Sequence, residues 1–187
     1  MLRIIGGRWR GRRLRFPASP EIRPTPDRVR ETLFNWLAAR VPGARCLDLF
    51  ASSGALGLEA LSRGAAHVTF VERDPVAARE IAARLEEWGA HSARVAQSDA
   101  RHFLHAPPAE SFDIVFLDPP FASALLAQTV ARLEQGDWLA DDALVYIECP
   151  AASASPVVPQ RWRPLKAKQA GEVGYHLYSR ARGTDSE

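Results

Sequence analysis

Four carboxylates stand at the ends of apolar runs, where an α/β chain places its chemistry: Asp48, Glu72, Asp99 and Asp118. The last opens the tetrapeptide Asp118-Pro119-Pro120-Phe121, directly after the run FDIVFL. Two prolines remove two backbone N–H groups and stiffen the turn, leaving carbonyls to accept hydrogen bonds. Asp118 adds a charged acceptor and Phe121 an aromatic face. Acceptors beside a stacking ring suit an exocyclic amine on a flat base. Such an amine is a poor nucleophile, because its lone pair is delocalised into the ring. Hydrogen bonds from its two hydrogens to Asp118 and the Pro119 carbonyl would orient it and tolerate charge developing on nitrogen. Phe121 would hold the base by stacking, as in enzymes that act on an unstacked base. Alone, the tetrapeptide is only a turn; its place after a fourth strand gives it a functional reading.

Asp48 and Glu72 belong to a unit that reads as a nucleoside-type pocket. Cys46–Phe50 is an apolar strand carrying Asp48, followed by the small residues Ala51, Ser52, Ser53 and Gly54 and then by helical spacing at Leu56, Ala60 and Leu61. Ala66–Val71 is a second strand with Glu72 and Asp74 at its end. This strand–loop–helix–strand unit is the first half of a doubly wound sheet, which binds nucleotides outside the carboxyl ends of its strands. The glycines are Gly54 and Gly57, and G-x-G-x-x-G is absent. A pyrophosphate needs several backbone N–H groups and a helix N-terminus, and Asp48 opposes that anion. S-adenosylmethionine, with a sulfonium, an ammonium and a ribose diol, suits an acidic pocket, and a carboxylate closing the second strand suits the diol.

The surrounding pattern supplies elements to hold these residues. Thr25 as N-cap, Pro26 at N1 and Asp27 near the positive dipole predict a helix to about Arg40, with Val29, Leu33, Trp36 and Leu37 on one face. Asp74-Pro75 opens a helix with Ile81, Leu85 and Trp88 inward and Gly89 at its close. Ser92–Gln97 is a third strand, ending at Ser98-Asp99. Phe112–Leu117 is a buried parallel strand. Leu125, Leu126, Val130 and Leu133 mark a helix ending at Gly136, and Ala143–Ile147 a fifth strand. Arg161–Lys168 and Glu172–Arg180 read as a closing antiparallel hairpin around Gly171.

A chain of 187 residues fits one domain with a small appendage. The net charge of +2 hides an asymmetry. Residues 1–45 hold eleven Arg against Glu21, Asp27 and Glu31, a net +8, so the remainder carries −6. This split suggests a basic face for a polyanion. Residues 1–15 contain six of those arginines, no acid, and Trp9. Leu2–Ile5 and Arg12–Phe16 are expected to pair through Gly6, Gly7 and Gly11, presenting arginines whose planar forks bind phosphate and stack on bases. No apolar run reaches membrane-spanning length and no signal-peptide pattern opens the chain, which implies a cytoplasmic protein. Cys46 and Cys149 fall in buried strands without metal-ligand spacing, as small core hydrophobes. None of the five His falls in a motif.

RIIGG at the N-terminus, the RPT-x-DRVRE-x-LFNWL stretch (Arg23–Leu37), LDLFASSGALGLEALSRGA (Leu47–Ala65) and DPPF together resemble the bacterial 16S ribosomal RNA (guanine(966)-N(2))-methyltransferases, a class I S-adenosylmethionine-dependent family. The resemblance covers nearly the whole chain, and its N-terminal block is the specific part. It implies a Rossmann-like, mostly parallel seven-stranded sheet with helices on both faces and a C-terminal antiparallel hairpin. It implies one methyltransferase domain: a basic extension over residues 1–22, a catalytic core over 23–183 and a tail over 184–187. The cofactor would lie against Asp48, Phe50, Ala51, Ser52, Ser53, Gly54 and Gly57, with Glu72 and Arg73 at the ribose and Asp99 and Ala100 at the adenine. Asp118, Pro119, Pro120 and Phe121 would clamp the target base. Arg3, Arg8, Arg10, Arg12, Arg13, Arg23, Thr25 and Arg28 would meet RNA. The partner is 16S ribosomal RNA in the small (30S) subunit or an assembly intermediate, and the protein is expected to be a monomer. No metal is expected, since a sulfonium is already an activated leaving group.

The chain departs from the family at one point of the loop, which usually reads Ala-Gly-Ser-Gly and here reads Ala51-Ser52-Ser53-Gly54. If position 52 needs a positive φ, serine carries strain that glycine would not. Two rival functions share parts of the pattern. A DNA adenine-N6 methyltransferase would use the same clamp, but usually needs a target-recognition domain for which this chain has no room. An RNA-binding module that has lost its cofactor would keep the arm and the fold.

Overall fold

The computed structural model describes residues 2–14, 25–121, 124–153 and 155–181. Arg23, the far end of the second arm strand (Arg15 and Phe16) and the 184–187 tail lie outside them. The chain falls into two compact units, Met1–Ala100 and Arg101–Glu187. Seven strands make a mostly parallel sheet.

In the first unit, β1 (Leu2–Arg3) and β2 (Arg13–Leu14) form the expected antiparallel arm, shorter than the sequence suggests. Between them Gly7–Trp9 makes one 3₁₀ turn. Helix α1 (Asp27–Trp36) precedes β3 (Arg45–Asp48), α2 (Ala55–Ser62), β4 (His67–Glu72), α3 (Pro75–Glu87) and β5 (Ala93–Gln97). Strand β4 lies between β3 and β5 and runs parallel to both. Apolar side chains on β3 and β4, among them Leu47, Val68 and Phe70, are sealed from solvent. The right-handed crossover helix of such a unit therefore starts just beyond the carboxyl end of β3. Asp74 caps α3 through Val76 N–H at 3.0 Å, with Pro75 next, as the sequence predicts.

The start of α1 differs from expectation. Pro26, not Thr25, is the N-cap, and no side chain caps it. Thr25 is only 4% exposed, and its carbonyl accepts from Arg30 Nε at 3.2 Å. The helix closes at Trp36, four residues before Arg40, and its buried face includes Phe34 and the fully enclosed Arg30.

In the second unit, the short α4 (Ala100–Phe103), which begins at the unit boundary, leads to β6 (Phe112–Leu117), α5 (Leu125–Gln135), β7 (Leu139–Pro150), β8 (Trp162–Ala170) and β9 (Val173–Arg180). Strand β7 is parallel to β6, while β9 pairs antiparallel with both β7 and β8, leaving β8 at the edge. β7 begins earlier than the sequence suggests. Phe112 pairs with Leu139 and Ile114 with Leu144, so the intervening stretch bulges and exposes Asp141 and Asp142. Those acids interrupt the apolar run from which the strand was read. Glu134 of α5 anchors the terminal hairpin, accepting from Trp162 Nε1 at 2.8 Å and Arg180 Nε at 3.1 Å.

Candidate active site

The loop between β3 and α2 is held from both sides by carboxylates. Asp48 is buried beneath it and accepts from Gly57 N–H at 3.0 Å, in the first turn of α2. Glu72, half-buried at the end of β4, accepts from Ser52 N–H at 2.6 Å and from Asp74 N–H at 2.8 Å. The loop folds tightly, with Gly54 N–H donating to the Ala51 carbonyl at 2.6 Å. Ser52 has φ +51 and Gly54 φ +74. Position 52 does require the left-handed conformation, and serine occupies it at the strain expected of an L residue. Gly57 is needed for packing: a Cβ there would collide with the Phe70 ring. Ala51 is buried and Phe50 and Ser53 are half-buried. At the end of β5, Asp99 is half-buried and Ala100 buried, while Arg73 after β4 is exposed.

Asp48 thus serves the loop from behind, under the Gly57 amide, whereas Glu72 offers a carboxylate with solvent access. A carboxylate has about four lone-pair sites, so two amide bonds leave Glu72 capacity for a diol. Together they make an acidic, backbone-lined site that fits a sulfonium nucleoside better than a pyrophosphate.

In the second unit, β6 delivers Asp118 at its carboxyl end. Asp118 is half-buried, Pro119 buried, Pro120 exposed and Phe121 43% exposed. Among the described residues, Phe121 is thus one of the few large apolar side chains open to solvent, as a stacking face must be. Leu117 and Ile147 are register partners, so Asp118 and Glu148 follow them on neighbouring strands. Glu148 is buried and accepts from the Tyr146 hydroxyl at 2.8 Å. Burial first, then the Glu148 charge and its hydrogen bond, push the Tyr146 phenol well above its usual pKa, with Asp118 and Tyr175 adding to the shift. Tyr146 therefore stays a proton donor and holds Glu148 in place.

The arm carries further candidate residues of the first unit. Arg8, Arg10, Arg12 and Arg13 are all exposed. Trp9 is buried against Trp88, ring centroids 5.1 Å apart, with Arg8 over Trp9 at 4.2 Å and Arg12 over Trp88 at 5.3 Å. Arg28 is exposed at the start of α1, and Arg3 pairs with Asp27 at 3.3 Å.

Residues 2–179 match a family model described as conserved hypothetical protein 95. Ribosomal RNA small subunit methyltransferase D of Escherichia coli K12 is 50% identical over 186 residues, covering 100% of this chain and 93% of the relative. Its namesake from Haemophilus influenzae is 44% identical over 181 residues, covering 95% and 93%. The solved structure of yhhF from Escherichia coli superposes with a TM-score of 0.89 at 49% identity, covering 97% of this chain and 99% of that one. The chain belongs to the ribosomal RNA small subunit methyltransferase D family.

Within this methyltransferase family member, the fold gathers the predicted loop residues, Glu72 and Arg73 around the carboxyl ends of β3 and β4, and Asp99 follows β5 in the same unit. It separates Thr25 from the exposed arginines by burying it. Sequence reading missed Glu59, Ser62 and Arg30, all buried. Glu59 carried a signal: a lone acid inside the otherwise apolar ALGLEALS needs a buried partner, and the arginine-rich N-terminal segment offers cations from more than fifty residues away.

Proposed function

We propose that this chain transfers a methyl group from S-adenosylmethionine to the N2 amine of a guanine in 16S ribosomal RNA, presented by the small subunit or an assembly intermediate. One observation carries the reading: this chain, half identical to a relative named for small-subunit ribosomal RNA methylation, holds Asp118 and an exposed Phe121 at the end of β6. We further propose that the two compact units act as one catalytic domain.

When bound, the cofactor supplies a methyl group already activated by a sulfonium. The loop 50–54, with Gly57, would line its methionine part over the buried Asp48 charge. Glu72 would take the ribose hydroxyls, with Arg73 alongside, and Asp99 and Ala100 would border the adenine. At the clamp, Asp118 and the Pro119 carbonyl would accept the two amine hydrogens and fix the nitrogen's direction. Pro120 stiffens the turn, and Phe121 stacks on the base. As the nitrogen gains positive character, Asp118 stabilises it electrostatically, and the surplus proton leaves to Asp118 or to solvent. Arg3, Arg8, Arg10, Arg12, Arg13 and Arg28 would hold the phosphate backbone. Transfer of labelled methyl to naked 16S RNA, assembly intermediates and complete small subunits, with mapping of the modified nucleotide, tests the reading. Methyl on guanine N2 is expected; methyl on another atom or molecule overturns it.

A further inference from the structure

Glu59 lies in α2, the helix whose first turn closes the cofactor loop. It is 0% exposed, yet it bonds mainly with the arm rather than with its own helix. Its two oxygens accept from Ile5 N–H and Gly6 N–H, both at 2.8 Å. Arg63 Nε donates to it at 2.7 Å, and Arg30 Nη1 stands 3.6 Å away. Arg30, itself fully enclosed, ties back to the arm through the Arg3 carbonyl at 2.8 Å and to Asp27 at 2.6 Å. One turn further, Ser62 Oγ accepts from Trp9 N–H at 2.9 Å and donates to the Gly6 carbonyl. The glycine pair makes the approach possible. A Cβ on Gly7, where φ is +75, would collide with the Ser62 carbonyl, and one on Gly6 would strike the Arg63 guanidinium.

We propose that Glu59 is a positioning residue for substrate RNA: a buried carboxylate latch that fixes the arginine arm to the far end of the helix that starts at the cofactor loop. Two main-chain amides on one carboxylate define the direction of a peptide segment, which no single side-chain contact does. Arg8, Arg10, Arg12 and Arg13 lie within seven residues of that anchor. Their placement relative to α2 therefore follows from Glu59. A buried carboxylate with charged partners is held firmly, because either partner alone would be an uncompensated charge. This proposal rests on the reading that the arm binds RNA.

Glu59→Gln is nearly isosteric but turns an amide NH₂ toward a backbone N–H, so one of the two arm bonds is lost. In the full chain it should raise the KM for small-subunit particles at least tenfold. The kcat at saturating particles and the affinity for S-adenosylmethionine should stay within about threefold. Gly7→Ala displaces the arm without touching any charge and should give the same split. The double variant should be no worse than the poorer single one, since both break one latch. Amide exchange at Ile5 and Gly6 should be slow in the parent and fast in both variants. An unchanged KM in either variant overturns the proposal. So does an equal loss of cofactor affinity, which would make Glu59 a support of the loop. If Glu59→Gln fails to fold, Gly7→Ala decides on the same terms. The arm reading is judged separately by Arg8/Arg10/Arg12/Arg13→Ala. If that variant leaves RNA affinity and its salt dependence intact, the arm reading fails. If it weakens binding while the latch variants do not, only the latch fails.

Discussion

The loop after β3 and the Asp118–Phe121 turn, proposed above as cofactor loop and base clamp, stand at the ends of parallel strands and use carboxylates oppositely. In the loop, Asp48 and Glu72 accept backbone amides, three bonds of 2.6 to 3.0 Å, so the site is ordered before any ligand enters. In the clamp, two prolines withhold amides, and an aromatic ring stands in solvent. A small ligand that must be bound in its ground state is served by a preformed lining. An amine whose charge develops only during transfer is served by an acceptor whose strongest interaction comes late. The loop should therefore govern affinity and the clamp turnover.

The largest effect should come from Asp118→Ala. Single-turnover transfer on small-subunit particles at saturating cofactor should slow by about 10²–10³, the scale of one preorganised electrostatic group. Cofactor affinity should hardly change. Asp118→Asn should be milder, because its amide oxygen still accepts while the charge is gone. A wild-type rate in Asp118→Ala would leave the clamp as a mere turn and end the contrast.

Glu72→Ala should do the reverse. Calorimetric affinity for S-adenosylmethionine should fall by roughly 1.5–3 kcal/mol, about 10- to 150-fold, while turnover at saturating cofactor stays near the parent value. Unchanged affinity would remove Glu72 from the cofactor site. A fall in turnover instead would put it on the clamp's side of the division.

Phe121→Ala sharpens the contrast within the clamp, because stacking acts before the chemical step. Loss of one base–aromatic contact, roughly 1–3 kcal/mol, should raise the substrate concentration required and leave the saturated rate largely intact. A saturated rate as low as that of Asp118→Ala would mean that the ring orients the amine itself.

Ser52→Gly should have the smallest effect. Glycine adopts the left-handed conformation without penalty, so relief of about 1 kcal/mol of strain should leave folding intact and keep or improve cofactor affinity. A large loss of affinity would show that the serine side chain makes a contact of its own.

The strand ends, the small-residue loop, the cap at Asp74-Pro75 and the proline turn after β6 were legible in the sequence because each is a local pattern. Alternating apolar residues, a proline after an N-cap and a glycine past a helix end express themselves over a few bonds, and the chain carries them at readable spacing. Even the strain at Ser52 was conditionally readable, as a serine at a loop position that could need a positive φ. The fate of the charged residues was not. Arg30 and Arg28 differ by two positions, yet one is sealed inside α1's buried face and the other stands in solvent. Glu59 and Glu72 each take two backbone amides, but Glu59's come from a segment more than fifty residues away. Thr25 matched a capping residue and was instead buried, its carbonyl taken by Arg30. Burial of a charge depends on which partners the whole fold brings within hydrogen-bond reach. Tertiary structure alone made that choice, separating the arginine that anchors the arm from those left in solvent.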